Sequence, residues 1–254
     1  MTFSYAIVRT PGKSLIDGLT GADLGKPVYE RAIQQHAAYV ATLRACRLAV
    51  TVLAADERYP DSTFVEDTAV LTDECAIITN PGAPTRQGEE QAIRDTLASH
   101  FRHFERIQAP GTLEGGDIMR VGRHFYIGRS ARTNEEGARQ LAGFLAALGY
   151  TSSTIPVRQF LHLKTGMTQL DADTILLAGE FQDRPEFTGL RRILVTPEED
   201  YAVNCLCLNG FVVMPAGFPK TRAAIEAAGF QVKETPMSEF RKIDGGLTCL
   251  SLRG

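Results

Sequence analysis

Segments with helical periodicity and short β-favouring runs alternate along the whole chain, and that alternation restricts its fold more than any other feature. Apolar residues recur at helical spacing over 28–46, 88–101, 134–148 and 220–228. Pro27 stands at a permissible first helical position, Asn134 is a good N-cap, and Gly149 and Gly229 are natural stops. Strand-like runs fall at 1–9, 48–53, 69–71, 76–79, 106–108, 124–127, 175–178, 193–196 and 211–214. The pattern predicts an α/β chain. No low-complexity tract or Pro/Gly/Ser linker divides it, so a single catalytic domain over 1–254 is expected.

Composition removes several classes of function. The formal net charge is -3, which leaves no basic footprint for nucleic acid. No run of about 20 apolar residues is present, so no membrane span is expected. Residues 1–9 lack the charged start and long apolar run of a secretory leader. The five cysteines, at 46, 75, 205, 207 and 249, are odd in number and suit reduced thiols in the cytoplasm. Cys205 and Cys207 form a C-x-C pair with no second pair to complete a zinc site, and both are expected on a strand over 204–208. No metal or cofactor is expected, and the chain reads as a monomer or a homodimer.

Polar or reactive residues inside strand-like or Gly-rich segments recur at Glu66-Asp67, Glu114, His162, Asn204 and Cys249. Counted from Glu66, the steps are 48, 48, 42 and 45 residues. A period of this size is compatible with repeated units around an axis, each placing one such residue near the centre.

Four segments carry chemistry. In 61–68 two adjacent carboxylates, Glu66 and Asp67, sit in a β-favouring stretch beside Phe64 and Val65, whose apolar character implies partial burial. A half-buried carboxylate needs a partner. In 110–118 a glycine pair presents Glu114 and Asp117; the reading is either a plain hairpin turn or a turn that offers carboxylates to a cation or a histidine. In 160–166 alternation separates Leu161 and Leu163 from His162, the one histidine of five inside a compact apolar strand. In 243–254 the pair Gly245-Gly246 leads into alternating residues that read as a strand carrying Cys249. That thiol is either a buried structural cysteine or a nucleophile.

A thiol, an imidazole and an orienting acid form the general recipe for thiol catalysis. The surplus carboxylates distinguish this set from a cysteine amidase or protease, whose developing oxyanion needs donors rather than acceptors. Acceptors suit a substrate with N–H donors and positive charge, namely a guanidinium or amidinium.

The segments Phe64-Val65-Glu66-Asp67, Glu114-Gly115-Gly116-Asp117, His162-Leu163-Lys164-Thr165-Gly166 and Gly245-Gly246-Leu247-Thr248-Cys249 resemble those of the guanidine-modifying superfamily. That superfamily contains arginine deiminases, amidinotransferases and dimethylarginine dimethylaminohydrolases. The likeness runs from Arg9-Thr10-Pro11 to Cys249, and the short chain with a near-terminal cysteine is most similar to the bacterial dimethylarginine dimethylaminohydrolases. The resemblance implies a five-bladed α/β propeller with pseudo-fivefold symmetry, built from ββαβ-type units. It also implies hydrolysis of asymmetric dimethylarginine or monomethylarginine to citrulline and an amine. Within the superfamily, hydrolysis of unmodified arginine and amidino transfer are the alternatives. From another class, a silent binder of cationic amino acids would lack Cys249 or His162, and both are present.

Carried across residue by residue, the resemblance makes Cys249 the nucleophile, His162 the general acid/base and Glu114 its orienting partner. It makes Glu66 and Asp67 the guanidinium-binding pair, with Asp61 the nearby acid. It makes Arg86 and Arg132 the clamps for the substrate carboxylate. It makes Leu19 and Ile243 contacts to the amino-acid end. The flanking Leu113 and Thr248 carry no expectation.

Overall fold

Parallel neighbouring strands need a crossover, usually a helix, whereas antiparallel neighbours need only a turn. Both connections recur here in fixed order. The structure, a computed structural model, describes residues 2–254. Residue 1 of the expected first strand lies outside them.

In the first unit, β1 (Tyr5–Arg9) crosses through α1 (Tyr29–Ala45) to its parallel neighbour β2 (Ala49–Leu53). In the second, the hairpin β3 (Ala69–Leu71) and β4 (Cys75–Ile78) is followed by α2 (Glu90–Leu97) and the parallel β5 (His103–Arg106). The third repeats this with β6 (Ile118–Val121), β7 (His124–Arg129), α3 (Glu135–Ala147) and β8 (Thr151–Pro156). The fourth opens on a single helical turn, α4 (Leu163–Gly166). It continues through β9 (Met167–Gln169), β10 (Thr174–Leu177) and β11 (Arg191–Leu194), with 3-10 turns in place of a crossover helix. The fifth has β12 (Leu206–Leu208), β13 (Phe211–Pro215), α5 (Pro219–Ala227) and β14 (Gln231–Thr235), then the short α6 (Ser238–Arg241). Finally β15 (Leu252–Arg253) pairs antiparallel with β1 and completes the first sheet. Among the described residues the result is five three-stranded sheets, the five-bladed α/β propeller expected.

The central strands of four sheets are almost wholly buried and largely apolar, as in Cys75–Ile78 and Thr174–Leu177, whereas in β7 His124, Tyr126 and Arg129 reach solvent. The outer strands β2, β5, β8, β11 and β14 are largely exposed or half-buried, and all but the apolar β2 carry several polar residues. Each crossover helix turns an apolar stripe onto its sheet: Ala138, Leu141 and Leu145 of α3 pack on Phe125 and Ile127 of β7. Full burial of side chains of this size stabilises by roughly 1.5–3 kcal/mol each.

Several expected elements are corrected. The helix expected over 88–101 spans only Glu90–Leu97, because Gly88 takes a left-handed φ of 105° that no helix accepts. The strand expected at 106–108 ends at Arg106. Cys205 precedes β12 rather than lying in it. The β-favouring stretch around Glu66 is a 3-10 turn, Val65–Thr68, in which the Thr68 hydroxyl donates to the Val65 carbonyl. His162 lies immediately before α4, not within a strand, and the Leu163 N–H is taken by the Asp117 carboxylate instead of a ladder partner. Cys249 sits in a 3-10 turn, Thr248–Leu250, not on the terminal strand. The carbonyls a strand would have paired are capped by side chains: Tyr39 Oη donates to Leu247, and Arg253 Nη1 to Thr248 and Ser251.

The recurrent polar residues find their explanation here. Glu66, Glu114, His162, Asn204 and Cys249 each lie in or beside the helical turn that immediately precedes the first strand of a sheet. Repetition of the unit therefore carries one of them to each of five equivalent places.

Candidate active site

One cavity at these converging turns is lined by Cys249, His162, Asp61, Asp67, Arg86, Arg132, Leu19 and Ile243, together with Phe64, Leu161, Asp244 and Gly245. Every expected site residue except Glu66 and Glu114 reaches its wall. Those two stand directly behind it.

Glu114 is wholly buried. Its Oε2 accepts from His162 Nε2 at 2.8 Å, and its Oε1 accepts from the backbone N–H groups of Gly82 and Ala83 at 3.1 and 3.2 Å. Arg132 Nη1 approaches the same oxygen at 3.3 Å. Burial would raise this carboxyl, but the hydrogen bond and charge of His162, with Arg86 and Arg132, outweigh it and hold the group down at about 2. The imidazole responds in the opposite sense. Burial would lower it, yet the surrounding carboxylates Asp67, Glu114 and Asp117 raise it to about 9. At neutral pH His162 is therefore an imidazolium, ready to give up a proton. Its close seat requires Gly116, where an added Cβ would come within 2.7 Å of the ring.

The Cys249 thiol is pushed the other way. Burial and the charges of Glu66 and Asp67 raise it to about 12, against smaller opposing effects of the Gly246 N–H and Lys164. Gly246 N–H points at the sulfur from 3.4 Å. These charges and burial favour the neutral thiol.

The two adjacent carboxylates divide their tasks. Asp67 lines the cavity, where its Oδ2 accepts from Arg86 Nη1 at 2.6 Å and its Oδ1 from Gly116 N–H at 2.8 Å. Glu66 turns away from it. Its Oε1 meets Lys164 Nζ at 2.6 Å and Arg253 Nη2 at 2.8 Å, and its Oε2 accepts from the Thr248 hydroxyl at 2.6 Å. Arg86 is buried and also bonds Glu89 and the Phe64 carbonyl. Asp61 accepts from the Leu19 N–H at 3.1 Å, and burial raises its carboxyl.

Asp67, Glu114 and His162 bring one potential metal donor each to within 4.8 Å of one another. Each of them already hydrogen-bonds within the protein, so the trio is satisfied by its own ion pairs.

Sequence reasoning passed over Lys164 and Arg253 as the counter-charges of Glu66, and Thr248 as its hydroxyl partner. Lys164 lay inside a quoted motif; nothing in the local pattern singled out Arg253. It also gave no role to Phe64 and Leu161 as apolar wall, although both flank motif residues.

A sequence profile described as N,N dimethylarginine dimethylhydrolase, eukaryotic, matches residues 23–184. The chain is 51% identical over 252 residues to the N(G),N(G)-dimethylarginine dimethylaminohydrolase of Pseudomonas aeruginosa, covering 99% of each. The chain belongs to the dimethylarginine dimethylaminohydrolase family. Two solved structures carry the likeness into three dimensions. A cysteine-to-serine variant of the Pseudomonas aeruginosa enzyme in complex with citrulline superimposes with a TM-score of 0.99 at 50% identity, covering 100% of both chains. A histidine-to-glycine dimethylarginine dimethylaminohydrolase, as an adduct with S-methyl-L-thiocitrulline, matches with a TM-score of 0.98 at the same identity and coverage.

Proposed function

We propose that this member of the dimethylarginine dimethylaminohydrolase family hydrolyses Nω-methylated arginines to citrulline and dimethylamine or methylamine. One observation carries the reading: Cys249 and His162 open into a single cavity whose other walls include the carboxylates of Asp61 and Asp67. Anionic walls fit a cation, and a thiol beside an imidazolium fits nucleophilic attack with a proton donor in place.

Carboxylates that accept from the guanidinium nitrogens hold it planar and fix its central carbon against the sulfur. In this role Asp67 faces the ligand, while Glu66 completes the negative field from behind. The arriving cation offsets the charges that keep Cys249 protonated, so the thiol proton is lost to solvent and thiolate forms with substrate in place. The sulfur attacks, the central carbon becomes tetrahedral, and His162 gives its proton to the departing amine as the C–N bond breaks. The remaining S-alkyl thiouronium takes a water, whose proton passes to the now neutral His162. Collapse of that centre breaks the C–S bond, the remaining hydroxyl proton passes to the departing sulfur, and citrulline leaves with the Cys249 thiol restored. Glu114 keeps the imidazole oriented and charged. Arg86 and Arg132 face the substrate carboxylate, and Leu19 and Ile243 the amino-acid end. Phe64 and Leu161 supply an apolar stretch of wall for a nitrogen that methylation has stripped of N–H donors.

The cavity has about 30 Å³ of free space, room for water rather than an amino acid. A bound amino acid therefore needs wall side chains to shift, and Leu19, 37% exposed, is the least enclosed of the apolar ones expected at the site. No helix of the described residues is long and apolar enough to cross a membrane. We read residues 1–254 as one catalytic domain, cytoplasmic, acting as a monomer or homodimer.

The test is citrulline release from dimethylarginine, monomethylarginine and arginine in parallel. Turnover of the methylated substrates well above that of arginine supports the reading; arginine as the best substrate replaces it with a deiminase. Cys249→Ser should abolish turnover and still bind substrate by calorimetry.

A further inference from the structure

Asn204 is the one recurrent polar residue for which the chemistry above has no use. It is buried, at 4% exposure, and every polar function of its amide is engaged. Nδ2 donates to the Lys164 carbonyl at 2.8 Å and to the Thr248 hydroxyl at 3.1 Å, and Oδ1 accepts from the Thr248 N–H at 2.9 Å. Lys164 follows His162 by two residues, and Thr248 precedes Cys249 by one. The amide thus ties the segment that carries the imidazole to the turn that carries the thiol.

Two further observations give that tie a consequence. The amide also packs on Gly246, where an added Cβ would lie 2.5 Å from Asn204 Cγ. Gly246 is the residue whose N–H points at the Cys249 sulfur. Moreover, the contact closes a circuit through all five units. Asp67 accepts from Gly116 N–H, its neighbour Asp117 accepts from Leu163 N–H, and Asn204 links Lys164 to Thr248. The Thr248 hydroxyl then donates to Glu66, the neighbour of Asp67. Asn204 joins the fourth unit to the Cys249 turn with one uncharged side chain that both donates and accepts.

We propose that Asn204 is a positioning residue, whose amide joins the His162 segment to the Cys249 turn and so sets the approach of imidazole and sulfur. The proposal rests on the assignment of those two residues as acid/base and nucleophile. Misplacement of about 1 Å costs on the order of 10²-fold in rate. Loss of the Gly246 contact also frees the backbone N–H that points at the sulfur to shift away from it.

The test compares wild type, Asn204→Ala and the near-isosteric Asn204→Asp as full chains. Citrulline kinetics, thermal unfolding and the pH dependence of Cys249 alkylation by iodoacetamide are measured on each. Asn204→Asp sets an acceptor against the Lys164 carbonyl and adds negative charge near the thiol. Both variants should lose on the order of 10–100-fold in kcat with KM within about threefold, and the alkylation midpoint should rise. A folded Asn204→Asp protein with wild-type kcat and midpoint overturns the proposal. Loss of fold in both variants also overturns it and assigns Asn204 to stability alone. Cys249→Ser and His162→Ala run alongside: turnover surviving in them defeats the assignment beneath the proposal, whereas their loss with intact Asn204 variants defeats the proposal only.

Discussion

Glu114 Oε2 and His162 Nε2 lie 2.8 Å apart with the carboxylate wholly out of water. Each holds the other charged, and the pair has a pH signature. The imidazole is raised from 6.5 to about 9, so the stability it contributes is fully present below 6.5 and is lost as pH rises through about 9. Glu114→Gln removes one of the carboxylates responsible. The alkaline limb of the kcat profile should move to lower pH, with a loss of about tenfold or more at its upper end. The unfolding temperature of the variant should fall less steeply than that of wild type across the same window. An unmoved alkaline limb would show that Glu114 does not set the imidazole's charge.

Cys249 is held as a thiol by burial and by Glu66 and Asp67. A neutral alkylating reagent should therefore react slowly with the free enzyme at neutral pH and faster as pH rises. A non-hydrolysable guanidinium too small to block the sulfur should move the alkylation midpoint down. A free-enzyme midpoint well below pH 7 contradicts substrate-assisted formation of the thiolate.

Gly116 leaves no room for a side chain beside His162, since a Cβ would come within 2.7 Å of the ring. Gly116→Ala should displace the imidazole and lower kcat on the order of 10²-fold. Alkylation of Cys249 should persist, because the sulfur's own turn is untouched. Full activity in the variant would mean that the ring has slack that the geometry denies.

Arg132, 19% exposed, contacts Glu114 and faces the cavity. Arg132→Ala should raise KM about tenfold or more for a substrate with its carboxylate intact. For a guanidine lacking that carboxylate, KM should change little. An equal rise for both would place Arg132 in support of Glu114 rather than in recognition of the amino-acid end.

The four crossover helices, the central strands and the reacting residue types were readable from the residues in order, because each depends on local periodicity or intrinsic chemistry, whereas the single turn α4 was read as strand. Central strands such as Thr174–Leu177 are largely apolar since both faces are covered, whereas the outer strand Gln231–Thr235 is polar and carries no comparable signal. Alternation misled at Cys249 because side chains of Tyr39 and Arg253, distant or unmarked in sequence, cap the carbonyls and permit a turn. Only the tertiary structure decided that Asp67 faces the cavity while Glu66 is turned to Lys164, Arg253 and Thr248. Glu66 and Thr248 are 182 residues apart. Their meeting depends on closure of the five-unit ring, and a linear chain carries residue types but no distances across it.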